Sequence, residues 1–169
     1  MKKMLFLFIN FKSYFMKIRN LMFVLMGLFI YSFAQISAQE VKADDILGVW
    51  LNEDKDAHVK VYKEGGEYFG KIVWLKEPIR EETGKPKLDR ENEDESLRSR
   101  PVMGLLLLRN FEFDGDDEWE DGKIYDPKNG STYKCYMEFE DEDDLDKLKV
   151  RGYIGFSLIG RTTYWTKVK

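Results

Sequence analysis

One cysteine and one histidine stand in a chain of 169 residues. Cys135 alone excludes an internal disulfide and any motif built on paired cysteines, so stability has to come from a packed core. His58 alone excludes metal sites assembled from several histidines. It lies in the run Ala57–Lys63 with parity opposite to Val59 and Val61, so if those valines face a core the imidazole faces out. Proline is also scarce, and three of the four, Pro78, Pro86 and Pro101, fall within one segment. A sustained apolar period of 3.6 residues is missing after the N-terminal stretch, which argues against a helical domain.

What is present begins with a basic leader, Lys17-Ile18-Arg19-Asn20, followed by the apolar run Leu21–Phe33. This is the layout of a secretory signal peptide, and the run is shorter than the about 20 residues that a membrane-spanning helix needs. Cleavage sites end at Ala34, as Ser32-Phe33-Ala34, and in a less ideal form at Ala38, as Ile36-Ser37-Ala38; Ala38 is the expected one, making residues 1–38 the signal peptide. Met16–Ala38 is a complete signal by itself, which points to Met16 as the true start. No cysteine near the cleavage region is available for lipid attachment. The expected product is a free, monomeric domain, residues 39–169, in the periplasm or secreted, with no membrane span after cleavage. Cleavage removes five basic side chains (Lys2, Lys3, Lys12, Lys17, Arg19) and no acid. It leaves 22 of the 27 Lys and Arg against 31 Asp and Glu, a net charge of −9. So acidic a surface argues against nucleic acid or anionic lipid as the main partner.

Within that domain, short alternating or apolar runs are separated by turn chemistry. The runs are Gly48–Leu51, Ala57–Lys63, Tyr68–Leu75, Leu105–Phe113, Trp119–Tyr125, Thr132–Phe139, Lys147–Tyr153 and Thr162–Val168. Glu64-Gly65-Gly66, Asp114-Gly115, Asn129-Gly130 and Asp141–Asp144 supply hairpin turns, with Asn-Gly the type I′ signature. The pattern predicts an all-β fold of eight antiparallel strands, closed into an up-and-down barrel because closure removes exposed edges. One long, charged, proline-bearing loop, Lys76–Met103, interrupts the meander, and such loops are where function is first sought.

Several motif-like segments fail on context. Gly155–Thr162 has P-loop spacing with Arg161 in place of lysine, but the alternating, β-branched residues after it read as a strand, whereas a P-loop opens a helix. For the same reason Ser157 is no nucleophile elbow. Asp114, Asp116, Glu118 and Glu120 resemble a calcium loop, yet Tyr125 stands where the twelfth-position acid belongs. No cofactor is expected, and with no nucleophile motif an enzymatic role has the least support.

Gly48-Val49-Trp50 carries more weight. A G-x-W opens the first strand of small calyx-shaped barrels of the lipocalin type, where the indole packs at the closed end against an arginine from a late strand. Arg151 and Arg161 are the two arginines so placed, and Arg151 is assigned to closure with Trp50. The sequence further resembles the DUF2147 family of exported bacterial proteins. The matching blocks are Gly48-Val49-Trp50, Gly70–Leu75, Asp89-x-x-Asn92 with Leu97–Pro101 and Gly104, Gly122–Pro127 with Gly130, Thr132 and Tyr133, and Val150–Gly155 with Gly160-Arg161-Thr162 and Trp165. One departure is Glu93, where members commonly carry proline. The resemblance implies export, a single domain and a lipocalin-like barrel. It supplies no reaction.

The functional expectation is therefore a barrel that takes a small amphipathic or apolar ligand at its mouth. Trp74, Arg98, Arg100, Tyr125, Arg161 and Trp165 are the candidate ligand-binding residues, aromatics giving apolar contact and arginines an anionic handle. Arg98 and Arg100 could equally be neutralised inside the loop by Asp89, Glu93 or Asp94. The alternative is an envelope structural or interaction protein with a filled barrel.

Overall fold

The computed structural model describes residues 40–169. The expected signal peptide, residues 1–38, lies outside them. Among the described residues ten strands form: β1 Gly48–Leu51, β2 Ala57–Glu64, β3 Glu67–Leu75, β4 Ile79–Arg80, β5 Lys85–Pro86, β6 Leu106–Phe113, β7 Glu118–Asp126, β8 Ser131–Asp141, β9 Asp144–Tyr153 and β10 Gly160–Lys167. Eight of them close into an antiparallel barrel in the order β1-β10-β9-β8-β7-β6-β3-β2, an up-and-down meander shut by the pairing of β1 with β10. Each of the eight runs read from alternation becomes one barrel strand. Among the described residues no helix is long and apolar enough to cross a membrane.

Turn chemistry explains most hairpins. Glu64 pairs with Glu67 across Gly65-Gly66, both with positive φ, as a two-residue primed turn requires. The β7–β8 connection corrects the Asn-Gly expectation. Asp126 pairs with Ser131, so the turn has four residues, Pro127–Gly130, with the Gly130 amide donating to the Asp126 carbonyl at 2.8 Å. Pro127, which offers no amide hydrogen, fits inside such a wider turn but not in a ladder.

Aromatic side chains fill one end of the barrel. Trp50, Tyr68, Phe111, Trp119, Met137 and Leu148 are fully buried there. Trp119 lies edge-on to Tyr68 and Phe139, with ring centroids 6.3 and 5.5 Å apart. Residues 41–47 cross beneath this cluster and seal it, with Val41 and Ile46 buried. Both indoles are satisfied by that segment: Trp50 Nε1 donates to the Ile46 carbonyl at 2.8 Å and Trp119 Nε1 to the Ala43 carbonyl at 3.1 Å. The G-x-W tryptophan therefore sits on the floor. The cation above it is Lys167, 5.2 Å from the ring, and not Arg151. Arg151 points elsewhere because its guanidinium is held by the Ser157 carbonyl and the Thr162 hydroxyl of the β9–β10 region.

Close packing of strand on side chain sets the tightest constraint in this half. The Phe111 ring lies so near the β7 backbone that a Cβ on Gly122 would fall 2.3 Å from its carbons. Gly122→Ala is expected to lower stability by about 2–3 kcal/mol, through displacement of a fully buried ring. Equilibrium denaturation in urea measures this, and an unchanged midpoint would contradict the packing.

Candidate functional site

Opposite the aromatic floor, the barrel opens into a cavity of about 780 Å³. Its apolar wall is made by Val59, Ile72, Leu75, Leu107, Ile124 and Val150, together with Trp165. Strand β10 settles the parity that alternation alone left open. Arg161, Thr163 and Trp165 line the cavity, and Lys167 continues the same side down to Trp50. Tyr164 faces out and is exposed.

The rim is polar and mixed in charge. Glu53, Asp54, Asp56, Glu91 and Asp126 meet Arg80, Lys87, Arg90, Lys128 and Arg161 there. Much of this charge is internally paired. Lys128 Nζ lies 2.6 Å from Asp54 and 3.4 Å from Asp56, and its hydrogen bond holds the Asp54 carboxyl below its ordinary range. Arg161 reaches Glu53 at 3.7 Å.

The segment between β3 and β6 is not a structureless flap. Strands β4 and β5 pair as a small hairpin, Leu88 bridges to Pro101, and Asp94 caps a single 3₁₀ turn, Glu95–Leu97, by accepting from the Ser96 amide. Within it, Asp89 has no solvent exposure. Its carboxylate accepts from Tyr125 Oη at 2.6 Å, Asn92 Nδ2 at 2.9 Å and Arg100 Nε at 2.9 Å, while a second Arg100 nitrogen lies at 2.8 Å. Burial alone would raise the Asp89 carboxyl, but these three donors and the guanidinium charge outweigh it and hold the group below the usual carboxylate range. Burial, followed by the adjoining carboxylate, pushes the Tyr125 phenol up. The Arg100 guanidinium also lies over the Tyr125 ring, 5.5 Å from its centroid. The segment is seated on the β7–β8 turn so closely that a Cβ on Gly130 would fall 1.7 Å from the Glu91 carbonyl oxygen.

The family model described as "Uncharacterized protein conserved in bacteria (DUF2147)" matches residues 48–167. The chain belongs to the DUF2147 family. None of the curated proteins matches it. A solved structure, protein HP1028 from Helicobacter pylori, described as belonging to the lipocalin family, is similar with a TM-score of 0.62 at 18% identity. The match covers 73% of this chain and 83% of that one. The likeness concerns the fold, which is lipocalin-like.

Of the six residues expected at the mouth of this DUF2147 barrel, three line the cavity: Tyr125, Arg161 and Trp165. Trp74 does not. A register shift between His58 and Val59 leaves Val73 and Trp74 both on the outer surface, where Trp74 stacks on His58 at 4.4 Å and remains 40% exposed. Arg100 is engaged by Asp89, and Arg98 donates to the Asn92 carbonyl at 2.7 Å and pairs with Glu95, so both guanidiniums serve the loop. The cations that do reach the cavity from this segment, Arg80, Lys87 and Arg90, carried no distinguishing pattern among so many charged neighbours. No group of three or more metal-ligating side chains comes together among the described residues.

Removing one partner of Asp89 strands a buried charge. Arg100→Ala is expected to lower stability by about 2–4 kcal/mol. Because the Asp89 carboxyl titrates below its unfolded value, its contribution is complete above about pH 4 and is lost as pH falls through the folded value. Asp89→Asn should flatten the acid limb of the stability profile, measured by urea midpoints from neutral pH downward. An unchanged acid limb would contradict the assignment.

Proposed function

We propose that this protein is an exported carrier or sensor of a small amphipathic molecule, whose apolar part enters the barrel and whose polar end rests at the rim. The observation that carries the reading is the division of one interior into two halves. Aromatic side chains fill the floor, whereas the mouth half holds a cavity of about 780 Å³ with an apolar wall and a charged rim. That volume lies in the range of ligand pockets, about 300–1,000 Å³. Tyr125, Thr163 and Trp165 offer contact to the ligand, and Arg80, Lys87, Arg90 and Arg161 surround its exit. The segment from Lys76 to Met103 acts as a partial lid, fixed by Asp89. The reading includes export by the N-terminal signal, a monomeric state, and a location in the periplasm or beyond.

A second reading, an envelope protein that binds a partner through its outer face, draws on the β9–β10 tip. Phe156 and Leu158 are 81% and 89% exposed there, beside the cavity mouth.

Native mass spectrometry of protein purified from its own exporting cells separates the two. The carrier reading expects a bound small molecule that is released on denaturation, with occupancy reduced at least about tenfold in Thr163→Trp, which places an indole in the cavity. A clean unliganded mass, with Phe156→Ser/Leu158→Ser abolishing association with envelope material, would favour the interaction reading instead.

A further inference from the structure

Charges at the rim are unequally committed. Lys128 is neutralised by Asp54 and Asp56, and Arg161 by Glu53. Among the described residues no ion pair engages Arg80, Lys87 or Arg90, and all three line the cavity. Of the remaining rim acids, Asp126 accepts from the Lys128 amide at 2.9 Å and Glu91 is exposed at the surface. The rim as a whole balances, five cations against five carboxylates, but among the described residues Arg80, Lys87 and Arg90 have no ion-pair partner of their own.

Arg80 stands out within that set. Its Nε is buried and has no hydrogen-bond acceptor among the described residues. A buried donor without a partner is unfavourable, and arginine cannot relieve it by losing its proton. The backbone that carries the residue is closed into a tight hairpin. Arg80 pairs with Lys85 and Ile79 with Pro86 in the β4–β5 hairpin, and the Thr83 and Gly84 amides both donate to the Arg80 carbonyl, at 3.3 and 2.8 Å. Gly84, at φ +63°, supplies the left-handed position that closes this turn. A planar guanidinium at the edge of an apolar cavity matches an oxyanion presented at the end of an apolar chain.

We infer that the ligand carries an anionic head, a carboxylate or a phosphate, and that Arg80 on the lid hairpin receives it, with Lys87 and Arg90 adding positive field. The inference rests on the amphipath reading and narrows it to one headgroup class. Overall acidity does not oppose it, because a small anion that is already inside the mouth interacts chiefly with charges within about one Debye length.

The test compares dodecanoate, dodecyl phosphate and dodecanol as probes, titrated into the exported domain and followed by tryptophan fluorescence and calorimetry. The wild type should bind at least one of the two anions about tenfold or more tighter than the alcohol, and whichever is tighter names the head. Arg80→Gln should remove that preference while leaving dodecanol affinity unchanged, which also reports that the variant is folded. Equal affinity for anions and alcohol in the wild type would overturn the headgroup inference and leave the amphipath reading standing. So would a preference that survives in Arg80→Gln. Failure of all three probes to bind would overturn both.

Discussion

A carboxylate with no access to water organises the mouth of this barrel. Asp89 belongs to the β3–β6 segment, and its carboxylate is satisfied from three directions, by Tyr125 on the barrel wall and by Asn92 and Arg100 of the same segment. A buried charge tolerates no partial solution, since losing any one donor leaves its solvation unreplaced. The segment is therefore fixed as part of the wall. Its far portion, the β4–β5 hairpin, is carried with it, which is how Arg80, Lys87 and Arg90 come to border the cavity.

The two ends of the barrel follow opposite physical logic. At the floor, large aromatic rings interlock, and the only polar atoms of the two indoles are answered by the carbonyls of Ala43 and Ile46. At the mouth, aliphatic residues line the wall of the cavity, and charged groups gather at the rim. The lipocalin-like fold supplies closure and the dry floor, while the β3–β6 segment gives this DUF2147 barrel its particular rim.

Strands were legible because β2 and the middle of β9 alternate, β6 opens on an apolar run, and glycine or acidic turns separate most neighbours. Trp50 was legible through its G-x-W, and His58 through the parity of Val59 and Val61. The faces of β10 were not, because Tyr164 and Trp165 are both aromatic and only closure against β1 and β9 decides which one points inward. Trp74 was misplaced by a bulge that no local signal announces. In the β3–β6 segment, Arg98 and Arg100 drew notice as a spaced pair, yet both are spent on the segment's own carbonyl and carboxylate groups. Arg80 is one charge among many in a charged segment, and only the folded hairpin places it at the cavity. Which charges fold inward depends on contacts distant in sequence, and composition does not record them.

Isotope-filtered NOE spectroscopy on the domain with bound dodecanoate tests the central claim most directly, because it locates the chain of the ligand atom by atom. Contacts from its methylene protons to the methyl groups of Val59, Ile72, Leu75 and Val150 are predicted. Contacts confined to Phe156 and Leu158 at the outer tip, with none to those four, would contradict a barrel that takes its ligand inside.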